Sequence, residues 1–354
     1  DLLELKATYG DPRRTELLAS ESEVLGDADL VADQDVLITI SDRGYVKRVP
    51  SDTYRAQGRG GRGIRGASTR EDDFVRDNFQ ANTHDVLLFF SDRGRVYELP
   101  AHAVPATSRE SAGTPLINLI QLEPAERVTV AFAVPAWQFE HGNYLVMATR
   151  KGKIKRTVLS QYQGVRPSGL IGINLEAGDR LRWAKITTGE DEIIMVTRRG
   201  LAIRFAEGEV RPMGRAATGV NAGRLRPGDE VAAMDIVKPD ADLLVVTTLG
   251  YGKRSPLTSY PRRGRYGQGV LTLDRRRLEE VGDIADARVV EDGNEVALIT
   301  DFGIVMRTLT DDISRMGRAT RGVRVMRLDE GHQVASMAYI VTREPTDEGD
   351  LGEV

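Results

Sequence analysis

Val36-Leu37-Ile38-Thr39-Ile40-Ser41-Asp42-Arg43-Gly44-Tyr45-Val46-Lys47-Arg48-Val49 reads as a strand, a tight turn and a returning strand. An apolar, β-branched run comes first, a polar turn ends in glycine, and a second extended segment follows. Glycine supplies positive φ at little cost, so such a turn between two strand-like runs marks a hairpin. The plan recurs five more times, as Val86–Phe90, Tyr144–Ala148, Ile193–Val196, Leu243–Thr247 and Val296–Thr300 run into Gly94, Gly152, Gly200, Gly250 and Gly303. From Gly44 onward these turn glycines stand 50, 58, 48, 50 and 53 residues apart. A second glycine trails each: Gly63, Gly113, Gly169, Gly219, Gly269 and Gly322, at offsets of 19, 19, 17, 19, 19 and 19. A repeat of about 50 residues built from short strands marks a radially repeated β architecture.

Within each module the second glycine leads to a third strand, such as Ile117–Leu122 or Ile171–Leu175. A Gly-Asp turn (Gly178-Asp179, Gly228-Asp229) then leads to a fourth, such as Val128–Val134 or Val231–Val237. Four strands in each of six modules predict an all-β, propeller-like disc over residues 36–342, with few free strand edges. Before it, residues 1–35 read as a short helix stopped at Gly10-Asp11-Pro12 and an acidic linker from Ala19 to Asp35. After it, residues 343–354 read as an acidic, disordered tail.

The net charge of −4 hides a strong asymmetry. Residues 1–35 carry a net −7 and residues 343–354 a net −4, which leaves +7 on the repeat body. A basic body between acidic ends points to a polyanionic partner. No apolar run is long enough to cross a membrane as a helix. The chain has no cysteine, which excludes disulfides and thiolate metal sites and fits a reducing cytoplasm. His84, His102, His141 and His332 are scattered, so no zinc site is expected.

The densest chemistry lies in Gln57-Gly58-Arg59-Gly60-Gly61-Arg62-Gly63, followed by Arg65. Glycines let backbone approach a partner closely, and arginine forks suit phosphate. Gly58 to Gly63 also spells G-x-G-x-x-G, but a dinucleotide site needs a strand before it and a helix after it, and no helical pattern follows. Arginine recurs in register with the glycines. Arg48, Arg156, Arg204, Arg254 and Arg307 stand four residues after the turn glycine, with Glu98 the exception that marks the second blade as electrostatically weakest. Arg59, Arg109, Arg215, Arg265 and Arg318 stand four before the second glycine, with Arg166 three before in the shortened third module. Lys47, Lys153, Lys155 and Lys253 accompany them on the returning strands.

Two readings fit this register: a structural ion pair repeated in each blade, or a rim of guanidinium groups that tracks a polyanion. With aromatic residues at only 6% and not interleaved with the basic ones, base stacking fits poorly and duplex backbone contact fits better. Asp301-Phe302-Gly303 matches a kinase metal-binding triplet but occupies the hairpin register, without the companion loops, and reads as a turn. No nucleophile–base constellation is present, so no catalytic residue, no metal and no cofactor are assigned to this chain.

The heptapeptide Gln57–Gly63 resembles the box of the bacterial DNA gyrase A-subunit family, usually Gln-Arg-Arg-Gly-Gly-Lys-Gly. Gly58 stands where that box has arginine and Arg62 where it has lysine. Tyr9-Gly10-Asp11-Pro12-Arg13-Arg14-Thr15-Glu16 looks like the segment closing the family's breakage-reunion region, and the six modules look like its C-terminal β-pinwheel. The resemblance implies hairpin blades that exchange a strand with a neighbour and duplex DNA bent around a basic perimeter. It implies a chiral wrap that lets the holoenzyme introduce negative supercoils, in the bacterial cytoplasm at the nucleoid. The partners implied are double-stranded DNA, the breakage-reunion region and the B subunit. The catalytic tyrosine would lie upstream of Asp1, with ATP and magnesium bound elsewhere in the holoenzyme. Two other readings stay open: the similar domain of topoisomerase IV, and a propeller serving as a protein-interaction platform.

Overall fold

The computed structural model describes residues 2–10, 30–51, 73, 75–108 and 110–340. Its helix Leu2–Tyr9 ends where expected, with the Gly10 amide donating to Lys6 O at 3.0 Å. Six antiparallel sheets follow, five of four strands and one of three among the described residues.

Each blade centres on an apolar strand: Asp35–Ser41, Val86–Ser91, Tyr144–Thr149, Glu192–Thr197, Asp242–Thr247 and Glu295–Thr300. These runs are continuously apolar because both their faces are covered. Leu87 and Phe89 pack into the core shared with the first blade, while Leu88 and Phe90 pack into the core shared with the third. Strand alternation therefore sends successive side chains to opposite neighbours, and the hydrophobic core is a series of interblade layers rather than one centre.

Toward the axis lie the inner strands Val75–Asn82, Val128–Val134, Leu181–Thr187, Val231–Ile236, Ile284–Val290 and Val334–Ile340. Each of them contacts the next, and Val334–Ile340 contacts Val75–Asn82, so they enclose a hub. On the other side of each blade's central strand comes the returning strand of its hairpin, beginning with Tyr45–Pro50.

The expected third strands need correction. Ile117 sits in the 3-10 turn Leu116–Asn118, and the strand after each second glycine among the described residues is only two residues long. It also belongs to the preceding blade. Thr114–Pro115 pairs with Tyr45–Pro50, Leu170–Ile171 with Arg95–Pro100, Val220–Asn221 with Lys153–Val158, Val270–Leu271 with Leu201–Ala206, and Val323–Arg324 with Tyr251–Pro256. This is the strand exchange that the family resemblance implies.

The exchange explains the second glycine. Gly219 has φ +89°, and a Cβ there would lie 2.5 Å from Ile154 O of the preceding blade. Gly113, Gly269 and Gly322 meet Val46 O, Ala202 O and Gly252 O at 2.6 to 2.7 Å in the same way. Only glycine permits this docking. Asp301-Phe302-Gly303 is the hairpin turn anticipated, with Gly303 at φ +79° and its amide donating to Thr300 O at 3.0 Å.

The sixth blade has no borrowed strand among the described residues. Its returning strand Val305–Leu309 leaves Val305 45% and Leu309 46% exposed, where the equivalent strands are mostly buried. By the pairing rule its partner would follow the remaining second glycine, Gly63, which lies outside the described residues.

Candidate nucleic-acid interface

The box Gln57, Gly58, Arg59, Gly60, Gly61, Arg62 and Gly63, together with Arg65 and Arg109, lies outside the described residues. The other candidates fall into two classes, separated by whether they stand in a strand or in an outer loop.

The first class faces inward. Lys47, Lys155 and Lys253 are buried, against the expectation that they line a DNA path. Lys253 Nζ donates to Gly317 O at 3.0 Å, Thr320 O at 2.8 Å and Arg318 O at 2.5 Å. Lys155 Nζ donates to the carbonyls of Gly172, Gly214 and Arg215, and Lys47 Nζ to Ser111 O at 3.0 Å. Each therefore ties the outer loop of the next module to its own blade. Burial pulls both Lys155 and Lys253 down to about 7, with Arg215 and Arg318 adding repulsion.

The arginines four residues after the turn glycine are struts between blades. Arg48 Nε donates to Val104 O at 2.9 Å, and burial lowers its pKa. Arg204 pairs with Glu192 at 2.5 Å and donates to Leu257 O at 2.9 Å. Arg254, nearly buried, donates to Ile313 O at 3.0 Å and pairs with Asp242, Asp292 and Asp311. Arg156 lies 3.7 Å from buried Glu207 and stacks over the Tyr144 ring. Arg307 pairs with Glu295 of its own blade at 2.5 Å. Lys153 pairs with Glu176 at 2.8 Å. At this register the repeated structural contact wins over the polyanion rim, because these strands are sandwiched between blades.

Arginines of the second class stand on the outer loops. Arg166 and Arg215 are exposed, and Arg265 and Arg318 are half-exposed. Arg265 Nη1 donates to Asn221 O, and Arg318 Nη1 to Leu271 O, each the last residue of the previous module's borrowed strand. Arg215 Nη1 donates to Gln161 O. Part of the Arg215, Arg265 and Arg318 forks is thus fixed, while the side chains remain open to a partner outside the disc. A guanidinium has five donors in a rigid plane, so one anchored donor orients the rest.

The reading by register alone missed a basic cluster on the fifth module. Loop 257–269 carries Arg262, Arg263 and Arg265 and no acid. Beside it, Arg226, Arg275 and Arg276 line a groove of about 400 Å³ together with Gln268 and Asp274. A plain count of arginines per loop would have found it.

The family model for the DNA gyrase C-terminal domain, β-propeller, matches six successive segments: 35–77, 85–135, 143–188, 191–238, 241–291 and 294–340. The DNA gyrase A subunit of Mycolicibacterium smegmatis is 40% identical over 342 residues, which is 96% of this chain and 40% of that protein. The DNA gyrase A subunit of Staphylococcus aureus strain MRSA252 is 39% identical over 355 residues, 100% of this chain and 40% of its own. The chain thus spans about 40% of the length of these relatives. Among solved structures, a topoisomerase IV C-terminal domain superposes with a TM-score of 0.75 at 29% identity, covering 87% of this chain and 94% of its own. A DNA gyrase A C-terminal domain superposes at 0.70 and 25% identity, covering 87% and 100%. The six matched segments coincide with the six blades, and the chain belongs to the DNA gyrase A C-terminal β-propeller family.

Proposed function

We propose that this disc binds and bends duplex DNA around its outer loops, without reading sequence, and that it does so as the wrapping domain of a gyrase A subunit. The observation that carries the reading is the recurrence of Arg166, Arg215, Arg265 and Arg318 at one loop position in four successive modules, on the outside of the fold. Evenly repeated cations suit the evenly repeated charge of a phosphate backbone. Bending a few tens of base pairs costs about 1–6 kcal/mol, which distributed contacts offset without base readout.

The chain performs no chemistry in this reading. Strand cleavage would belong to the breakage-reunion region and ATP hydrolysis to the B subunit, with magnesium also bound elsewhere. The disc would work with both in the bacterial cytoplasm at the nucleoid. Its part is to give the DNA crossing a fixed sign, so that strand passage introduces negative supercoils. The higher TM-score to the topoisomerase IV domain favours a second reading in that enzyme, but 39–40% identity to gyrase A subunits weighs more.

The test is to bind the chain to a small relaxed DNA circle, treat with a nicking-closing enzyme and measure linking number. A shift of one sign supports chiral wrapping. Tight binding with no shift would reduce the domain to a basic adhesive surface. Six to ten phosphate contacts would give a log–log salt slope of roughly −5 to −9.

A further inference from the structure

The hub carries a second cluster of arginines that DNA on the outer loops would not touch. Each inner strand has one bulged residue, skipped in its pairing with the central strand: Arg76, Thr129, Arg182, Ala232, Ala285 and Ala335 in blade order. A bulge re-aims its side chain, and here the same device recurs once per blade at one level of the hub. Half of the ring is therefore Arg-Thr-Arg and half is alanine. Arg182 of the third blade lies within electrostatic range of Arg76 of the first and Asp286 of the fifth, as inner strands that close on one another around the hub would place them.

The arginine side is under-satisfied. Arg182 makes no hydrogen bond or ion pair with any described residue, and it is exposed although the hub desolvates it. That desolvation, with Arg150, Arg76 and Arg180 nearby, pulls its pKa down. Arg76 binds Asp77 and Val128 O, but its Nη2 is buried without a hydrogen-bond partner. The facing Asp286 is already engaged by the amides of Ala287 at 2.8 Å and Met337 at 3.1 Å and by Arg288 at 3.7 Å.

We propose that the hub holds a small phosphoanion, orthophosphate or pyrophosphate, gripped by the forks of Arg182 and Arg76 in the space that the three alanines leave open. Forked guanidinium donors match the oxygens of a phosphate.

The experiment is calorimetric titration of the 354-residue chain with pyrophosphate at constant ionic strength, followed by the thermal midpoint. One site per chain is expected, with a midpoint that rises with ligand. Arg182→Ala should weaken binding at least tenfold, and Ala285→Leu, which fills the hollow and keeps every charge, should do the same. Arg215→Ala, on an outer loop, should bind as the parent does. Circular dichroism of each variant without ligand separates lost binding from lost fold, and Ala285→Leu serves if Arg182→Ala does not fold. Unchanged affinity in Ala285→Leu or in folded Arg182→Ala overturns the proposal, as does competition by saturating duplex DNA, which would place the anion on the outer loops.

Discussion

Gly219→Ala isolates what strand exchange demands of the second glycine. Gly142 serves as its control: φ is +71° there and an added Cβ meets nothing within 4 Å, whereas Gly219 has φ +89° and its Cβ would lie 2.5 Å from Ile154 O and 3.0 Å from Ile154 C. Both substitutions force an L-residue to positive φ, at about 1–2 kcal/mol, partly offset by about 0.4–1 kcal/mol from a stiffer unfolded chain. Gly142→Ala should therefore lose about 1 kcal/mol. Gly219→Ala must in addition push the borrowed strand Val220–Asn221 away from a backbone carbonyl, which cannot rotate aside as a side chain could. Overpacking of this kind costs about 1–3 kcal/mol, so the total should reach about 3 kcal/mol. Urea denaturation of the two variants and the parent, compared at unchanged m-value, measures the difference directly. Arg215 stands four residues before this glycine, so the DNA salt slope should also become shallower in Gly219→Ala alone. Equal midpoints for the two variants would refute the docking argument, because the contacts with Ile154 and Lys155 of the preceding blade are what distinguish them.

Cations in strands and cations in loops should separate in function. Arg215→Ala should reduce the salt slope of DNA binding by about 1 with little loss of stability. Arg254→Ala should cost about 3 kcal/mol in denaturation and leave the slope alone; a reversed pattern would undo the division into struts and rim. Lys155 and Lys253 give a pH signature. An unfolded lysine keeps its proton to about pH 10, whereas these two release theirs near 7 when folded, so between those values the unfolded chain binds more protons. Stability should then rise with pH from about 7 to 10, by up to about 1.4 kcal/mol per pH unit for each lysine, and flatten below 7. A level profile would mean that the carbonyl cage holds the ammonium groups fully charged. For the sixth blade, the pairing rule expects the residues after Gly63 to complete the sheet. Cysteines introduced at Ile64 and Val305, which stand at the paired positions of the other blades, should form a disulfide within the monomer in a chain that has no cysteine, and crosslinking only between molecules would contradict the rule.

The hairpins were legible because each combines a doubly covered apolar strand with a glycine that must take positive φ, and both leave strong local marks. Val86–Ser91 is the clearest case, since its continuous apolar run follows from packing on two neighbours. The borrowed strand left no such mark. Two residues such as Thr114–Pro115 are too short for any periodicity, and their partner lies in another module. The arginine register was visible but ambiguous, since any role repeated per blade places charges at a fixed offset. Position in the hairpin could have resolved it: Arg254 stands inside a returning strand, where both faces are covered, and Arg318 stands in a loop beyond it.

The two classes are also mechanically joined. Lys253 holds the carbonyl of Arg318, and Lys155 that of Arg215, so the buried cations fix the backbone from which the exposed ones project. Glu98 fits the same scheme with its polarity reversed. It replaces a strut arginine, and its carboxylate accepts the Val165 amide at 2.7 Å, in the loop that carries Arg166. The acid thus builds the third module's rim as Arg254 builds the sixth's, one accepting an amide and the other donating to a carbonyl. Charge counted along a strand therefore misjudges the second blade. The weak point of the rim there is loop 101–113, where Arg109 is followed at once by Glu110. A continuous DNA path would depend on the rim loops, and a substitution at Glu98 should act through the Arg166 loop rather than through its own charge.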